Sequence, residues 1–207
     1  MKKIAVVDYG SGNLFSVSQA IKRIGVMPSL ASSEKEINDC DAIILPGVGA
    51  FKNAMEGLDQ AELIPAIIDS VKNGKPILGI CLGMQLLFDI SHEFGSHEGL
   101  KLLKGEVIKF SDSNQMVTIP QIQWNRIQTN IKDTVLFQGI ELDPFMYFLH
   151  SYYVKPSQGY KKTFKTNYGG LEYCSAIEHK NIYGVQFHPE KSASAGLQLL
   201  KNFVDLA

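Results

Sequence analysis

Apolar positions recur along this 207-residue chain in two different rhythms. In the first half, short unbroken apolar runs alternate with segments whose apolar residues fall three and four positions apart. Runs at 3–7, 27–31 and 42–45 have the form of strands buried on both faces, and a fourth, at 77–80, stops at Cys81. After the first run, Leu14, Val17, Ile21 and Ile24 keep helical spacing, with Asn13 as candidate N-cap and Gly25 as the expected stop. Ser33 and Glu36 form a candidate capping box for a short helical turn. Before the cysteine run, Leu63, Ile64, Ile67, Ile68 and Val71 define a helix over 61–73 that ends at Gly74. Alternation of this kind predicts a parallel sheet covered by helices, with ligands gathering beyond the carboxyl ends of the strands. The 46–49 loop and Cys81 both fall at such ends and are expected to face one pocket.

The rhythm changes after His92. Shorter strand-like runs follow at 106–110, 116–119, 124–128, 145–149, 161–166, 173–177 and 182–187. Turn residues such as Asp143-Pro144 and Tyr168-Gly169-Gly170 separate them. They predict a mostly antiparallel extension of the same sheet, closed by a final helix over 193–204. No linker or internal repeat divides the chain, so one α/β domain over 1–207 is expected.

Composition narrows the function classes. With 45% hydrophobic and 20% charged residues, the chain reads as an ordinary globular protein. A net charge of −1 without any basic block provides no electrostatic footprint for nucleic acid. No apolar run reaches the about 18 residues a membrane span needs. Asp8 and Gly10 interrupt the first apolar stretch, which is therefore read as a strand and not as a signal peptide. Cys40, Cys81 and Cys174 are far apart and lack metal-ligand spacing, which suits a reducing cytoplasm and argues against a metal or disulfide scaffold. The Tyr9-Gly10-Ser11-Gly12 loop lacks the third glycine of a dinucleotide fingerprint.

Candidate chemistry centres on Gly79-Ile80-Cys81-Leu82-Gly83, where a strand turns into a helix at a cysteine flanked by glycines two residues away on each side. This is the sulfur counterpart of a nucleophile elbow. The Leu82 N–H would lie near the helix start, where backbone donors favour negative charge. Taken alone, the cysteine reads equally well as buried packing. A cysteine nucleophile needs a base and a group to orient it. Of five histidines, His188 closes an apolar strand and has Glu190 two residues on, which in an extended segment would place both on one side. The 46–49 loop could offer backbone N–H groups to an oxyanion. Gln85, one helical turn past Cys81, could reach a substrate amide.

These segments resemble the class I, triad-type glutamine amidotransferases, and within them the glutaminase subunit of imidazole glycerol phosphate synthase. G-I-C-L-G-M-Q at 79–85 with G-V-Q-F-H-P-E at 184–190 carries the class. D-Y-G-S-G-N-L at 8–14 and P-G-V-G-A-F at 46–51 carry the subfamily, and Y-F-L-H-S-Y-Y at 147–153 completes the family order. The resemblance implies a flavodoxin-like sheet. It implies Cys81 as nucleophile, His188 as base and Glu190 as its orienting partner. Val48, Gly49 and Leu82 would serve the oxyanion, and Gly47, Gln85, Glu93, Ser151 and Tyr152 the substrate glutamine. No cofactor is implied. The implied partner is a (β/α)8-barrel synthase that receives the ammonia for histidine biosynthesis, met by Gln121, Gln123, Trp124, Asn125 and Lys191.

One segment departs from the family. Where the family usually has P-H-x-G-W-N, this chain has Pro120-Gln121-Ile122-Gln123-Trp124-Asn125. The triad is untouched, but a paralogue supplying ammonia to a related barrel, such as one forming an amidine on a surface sugar, is the alternative. Another cysteine hydrolase, or a non-catalytic module that kept the fold, are the readings from other classes.

Overall fold

The computed structural model of the protein describes residues 2–110, 118–129 and 133–207. The first half alternates as read from the sequence: β1 (Ile4–Val7), α1 (Leu14–Arg23), β2 (Pro28–Ala31), α2 (Glu34–Asn38) and β3 (Ala42–Gly47). Then come α3 (Phe51–Gln60), α4 (Leu63–Lys72), β4 (Ile77–Cys81) and α5 (Leu82–Leu86). The caps are local. Asn13 accepts from Ser16 N–H, Ser33 accepts from Glu36 N–H, and Gly25 takes φ +86° behind α1.

Helix α3 has no sequence-based counterpart. Phe51, Ala54 and Leu58 bury its inner face, but its N-cap, Ala50, makes no side-chain cap. The pattern lacks a start signal, and α4 follows after a left-handed turn at Glu62.

The second half supplies β5 (Ile90–Ser91), β6 (His97–Glu98), β7 (Gly105–Lys109), β8 (Gln121–Arg126), β9 (Phe145–His150), β10 (Tyr152–Pro156), β11 (Lys162–Tyr168), β12 (Leu171–His179), β13 (Ile182–Val185) and α6 (Ala193–Val204). One large sheet runs β2-β1-β3-β4-β13-β12-β10-β7-β5-β6, with β11 on β12. Its first five strands are parallel, in the 2-1-3-4-5 order of flavodoxin-like sheets. From β12 onward the pairing is mostly antiparallel. Two expectations change. Strands β8 and β9 leave this sheet and pair with each other. The run expected at 116–119 lies partly outside the described residues, and 118–119 are not strand.

Apolar layers pack on both faces of the parallel half. Phe51, Leu58 and Ile67 meet one face, and Ile21, Leu199 and Phe203 the other. This double cover explains why β1, β3 and β4 are apolar throughout. No described helix is long and apolar enough to cross a membrane.

Candidate active site

Cys81 ends β4 with φ 55° and ψ −111°, a conformation that costs a non-glycine residue about 1–3 kcal/mol. Close packing enforces it. A Cβ on Gly79 would lie 2.6 Å from Gly83 O, and one on Gly83 would collide with the Leu45 carbonyl. Strand and helix therefore touch backbone to backbone behind the cysteine, and the sulfur is turned toward a cavity of about 270 Å³.

The junction of β9 and β10, with Leu149, His150, Ser151 and Tyr152, lines that cavity together with Pro120. Val48, Gly49 and Leu82 line it beside Cys81 in the same cavity, and Gln85, Glu93 and His188 complete it. The Cys81 thiol points at the Leu149 carbonyl, 3.7 Å away, while Gln186 Nε2 approaches the sulfur at 3.8 Å. A neutral thiol can use the carbonyl; a thiolate can use the amide.

His188 is held by its backbone, whose N–H donates to Tyr147 O at 2.9 Å, and by Ser192 Oγ, which donates to His188 O at 2.7 Å. Its Nδ1–H donates to Glu190 Oε1 at 2.9 Å, and both side chains are almost fully buried. The pairing arises differently from the sequence expectation. His188 is extended, but Pro189–Lys191 forms a 3-10 turn that carries Glu190 back beneath the ring. Nε2 is buried and makes no hydrogen bond among the described residues, so one ring nitrogen remains for the reacting atoms. Burial opposes charge on this imidazole, but the neighbouring Cys81 and Glu190 outweigh it and raise the pKa to about 10.

Some candidate residues take different places. Gly47 does not border the cavity. It packs so tightly that a Cβ would lie 2.8 Å from Gly83 N and 2.9 Å from Tyr9 Oη. Gln85 is buried, and its amide donates to Tyr152 O at 3.0 Å and Gln186 Oε1 at 3.1 Å, so its N–H groups are already engaged. Gln121 was expected at a partner surface but is fully buried, accepting from Tyr173 Oη at 2.9 Å. It opens β8 on the buried side, against Tyr173, while Ile122, Gln123 and Trp124 after it are exposed. Asn125 is half-buried on the same strand, and the exposed Lys191 lies over the Tyr147 ring at 5.9 Å.

Three site residues escaped sequence reasoning. Gln186, a glutamine inside an apolar strand end, was quoted in a motif without a role. The Leu149 carbonyl has no sequence signal. His150 is buried, its Nδ1–H donating to Tyr152 O at 2.8 Å, and burial lowers its pKa to about 4.

Residues 5–206 match the glutamine amidotransferase class-I family. The chain belongs to the class I glutamine amidotransferases. Within that family it is similar to proteins named imidazole glycerol phosphate synthase subunit HisH. The Sulfurimonas denitrificans protein is 46% identical over 97% of this chain and 96% of its own length. The one from Chlorobium luteolum is 45% identical over 98% of this chain and 99% of its own. Among solved structures, PurLQS from Thermotoga maritima aligns with TM-score 0.77 at 20% identity, covering 99% of this chain and 98% of that one. That likeness concerns the amidotransferase fold. In this chain Cys81 and His188 line one cavity with Val48 and Gly49, and Glu190 is paired with His188.

Proposed function

We propose that this chain is the glutaminase subunit of imidazole glycerol phosphate synthase, releasing ammonia from glutamine for histidine biosynthesis. The observation that carries the reading is the buried His188–Glu190 pair, 2.9 Å long, at the cavity that also exposes Cys81 on a strained elbow.

The residues divide the work as follows. His188 takes the Cys81 thiol proton and, paired with Glu190, keeps it, leaving a thiolate beside an imidazolium. The thiolate attacks the side-chain carboxamide carbon of glutamine. The carbonyl oxygen becomes an oxyanion served by backbone N–H groups of Leu82 and the 48–49 turn. As the tetrahedral centre collapses, the C–N bond breaks and His188 gives its proton to the departing nitrogen. Water then adds to the thioester with His188 as base, and glutamate leaves as the thiol reforms. The sum is glutamine plus water giving glutamate plus ammonia. Glu93, Ser151 and Tyr152 surround the end of the cavity where the amino-acid group of glutamine would sit. Gln85, with its amide N–H groups engaged, contributes its carbonyl or acts through Tyr152 and Gln186.

The partner is a (β/α)8-barrel synthase subunit. It docks on the face that bears Ile122, Gln123, Trp124, Asn125 and Lys191 and receives the ammonia there. A cytoplasmic location fits the three free thiols. The deciding experiment is glutamate release from glutamine with and without the synthase subunit encoded beside this chain. Turnover that rises with the partner and vanishes in Cys81→Ala supports the reading; undiminished turnover in that variant removes it.

A further inference from the structure

The turn at 46–51 is held at three points. Tyr9 Oη donates to Pro46 O at 2.9 Å, and Ser11 Oγ donates to Val48 O at 3.0 Å. At its far end Phe51 N–H, in the first turn of the ten-residue α3, donates to Glu93 Oε2 at 2.5 Å. The third anchor differs from the others. Ala50 has no side chain able to accept, so α3 takes its cap from a carboxylate 42 residues away in sequence. A negative group there satisfies a free N–H and also complements the helix field.

Glu93 is itself well placed. Its own N–H donates to Ser91 Oγ at 3.2 Å, and its carboxylate faces Tyr152, whose hydroxyl is pushed up by burial and then by that charge. Unlike Tyr9 and Ser11, Glu93 also lines the cavity. Oε1 makes no hydrogen bond among the described residues, which leaves it for a cation in the pocket.

We propose that Glu93, beyond the substrate contact already given to it, is a positioning residue for the turn that offers the oxyanion donors: by capping Phe51 it fixes the backbone at Val48 and Gly49, and its second oxygen is left for the substrate's α-ammonium. The ammonium contact rests on the glutaminase reading; the clamp on the turn rests on the hydrogen bond to Phe51. One carboxylate thereby joins pocket filling to the geometry of the 48–49 turn. Loss of the clamp moves the donors without touching the triad.

The test separates clamp from substrate ligand with 5-amino-5-oxopentanoate, which is glutamine without its α-amino group, assayed alongside glutamine in the presence of the synthase subunit. With glutamine, Glu93→Ala and Glu93→Gln both raise KM. Glu93→Ala also lowers kcat on both substrates, by about tenfold to a hundredfold, the range expected when catalytic geometry is misplaced. Glu93→Gln keeps an acceptor oxygen and restores most of kcat. Alkylation of Cys81 by iodoacetamide, which builds no oxyanion, proceeds at the wild-type rate in both variants, and their melting curves report folding. Wild-type kcat in Glu93→Ala, or equal kcat losses in the two variants, overturns the proposal. If the wild-type protein turns over only glutamine, the same kcat comparison at saturating glutamine decides. Absence of any glutamine hydrolysis by the wild type is a separate outcome that removes the glutaminase reading and this inference with it.

Discussion

Gln186 Nε2 lies 3.8 Å from the Cys81 sulfur, while its Oε1 accepts from Gln85 Nε2 at 3.1 Å, which fixes the way the amide faces. The donor side of a fully buried glutamine is therefore aimed at the nucleophile. Gln186→Leu keeps the volume and removes the donor. Cys81 alkylation at neutral pH is expected to slow by about tenfold, corresponding to loss of one hydrogen bond to a charged group. Alkylation at the wild-type rate would mean that the amide only packs.

Cys81 sits at φ 55° and ψ −111°, where glycine is relaxed and alanine is not. Two inactive variants should accordingly rank against their usual order. Cys81→Gly is expected to be more stable than Cys81→Ala by about 1 kcal/mol, the strain released less the extra chain entropy of glycine. Urea unfolding of both proteins measures the difference, and an alanine variant of equal or higher stability contradicts the strain assignment.

The two buried histidines of the site shift in opposite directions. His150 falls to about 4, chiefly through burial and further through the charge of His188, against the bond to Tyr152 O. Its contribution to stability is complete above the ordinary histidine value of 6.5 and is lost as pH falls through about 4. His188 rises to about 10, so its contribution is complete below 6.5 and is lost as pH climbs through about 10. Urea midpoints across this range should show His150→Asn closing its gap to wild type on the acid side and His188→Gln on the alkaline side. Parallel curves for either variant would contradict the corresponding shift.

On strand β8, Trp124 is about half exposed whereas Gln121 is fully buried. Trp124→Ala should weaken binding of the synthase subunit by about tenfold or more, as truncated tryptophans at interface centres do. Gln123→Gly, which returns the usual family residue on the exposed face, should change the same affinity. Gln121→His should leave it unchanged and alter stability, because the side chain meets Tyr173 and not the surface. Calorimetric titration of the three variants distinguishes these outcomes; a large affinity change in Gln121→His would restore that residue to the interface.

Much of the fold was legible because its signals are local. Apolar runs and glycine stops gave the β-α order, and Asn13 and Ser33 announced their helices by side chains within reach of their own backbone. Helix α3 was silent for the opposite reason: its cap is Glu93, which only the folded chain brings to Phe51. The pairing of β8 with β9 was equally hidden, since alternation within each strand is compatible with either sheet.

The sequence by itself determined the reactive groups and their order: a cysteine between Gly79 and Gly83, a histidine with a carboxylate two residues on, and a glycine turn at the end of a neighbouring strand. Those choices are imposed by covalent spacing and steric limits, which are written residue by residue. Only the tertiary structure decided what surrounds the sulfur. It placed Gln186 and the Leu149 carbonyl beside the Cys81 sulfur, folded Glu190 under His188 by a 3-10 turn, drew Gln121 inside and joined Glu93 to the 46–51 turn. Apart from the His188–Glu190 pair, these are contacts between segments distant in sequence. They are settled by how strands and helices pack together, which no local pattern encodes.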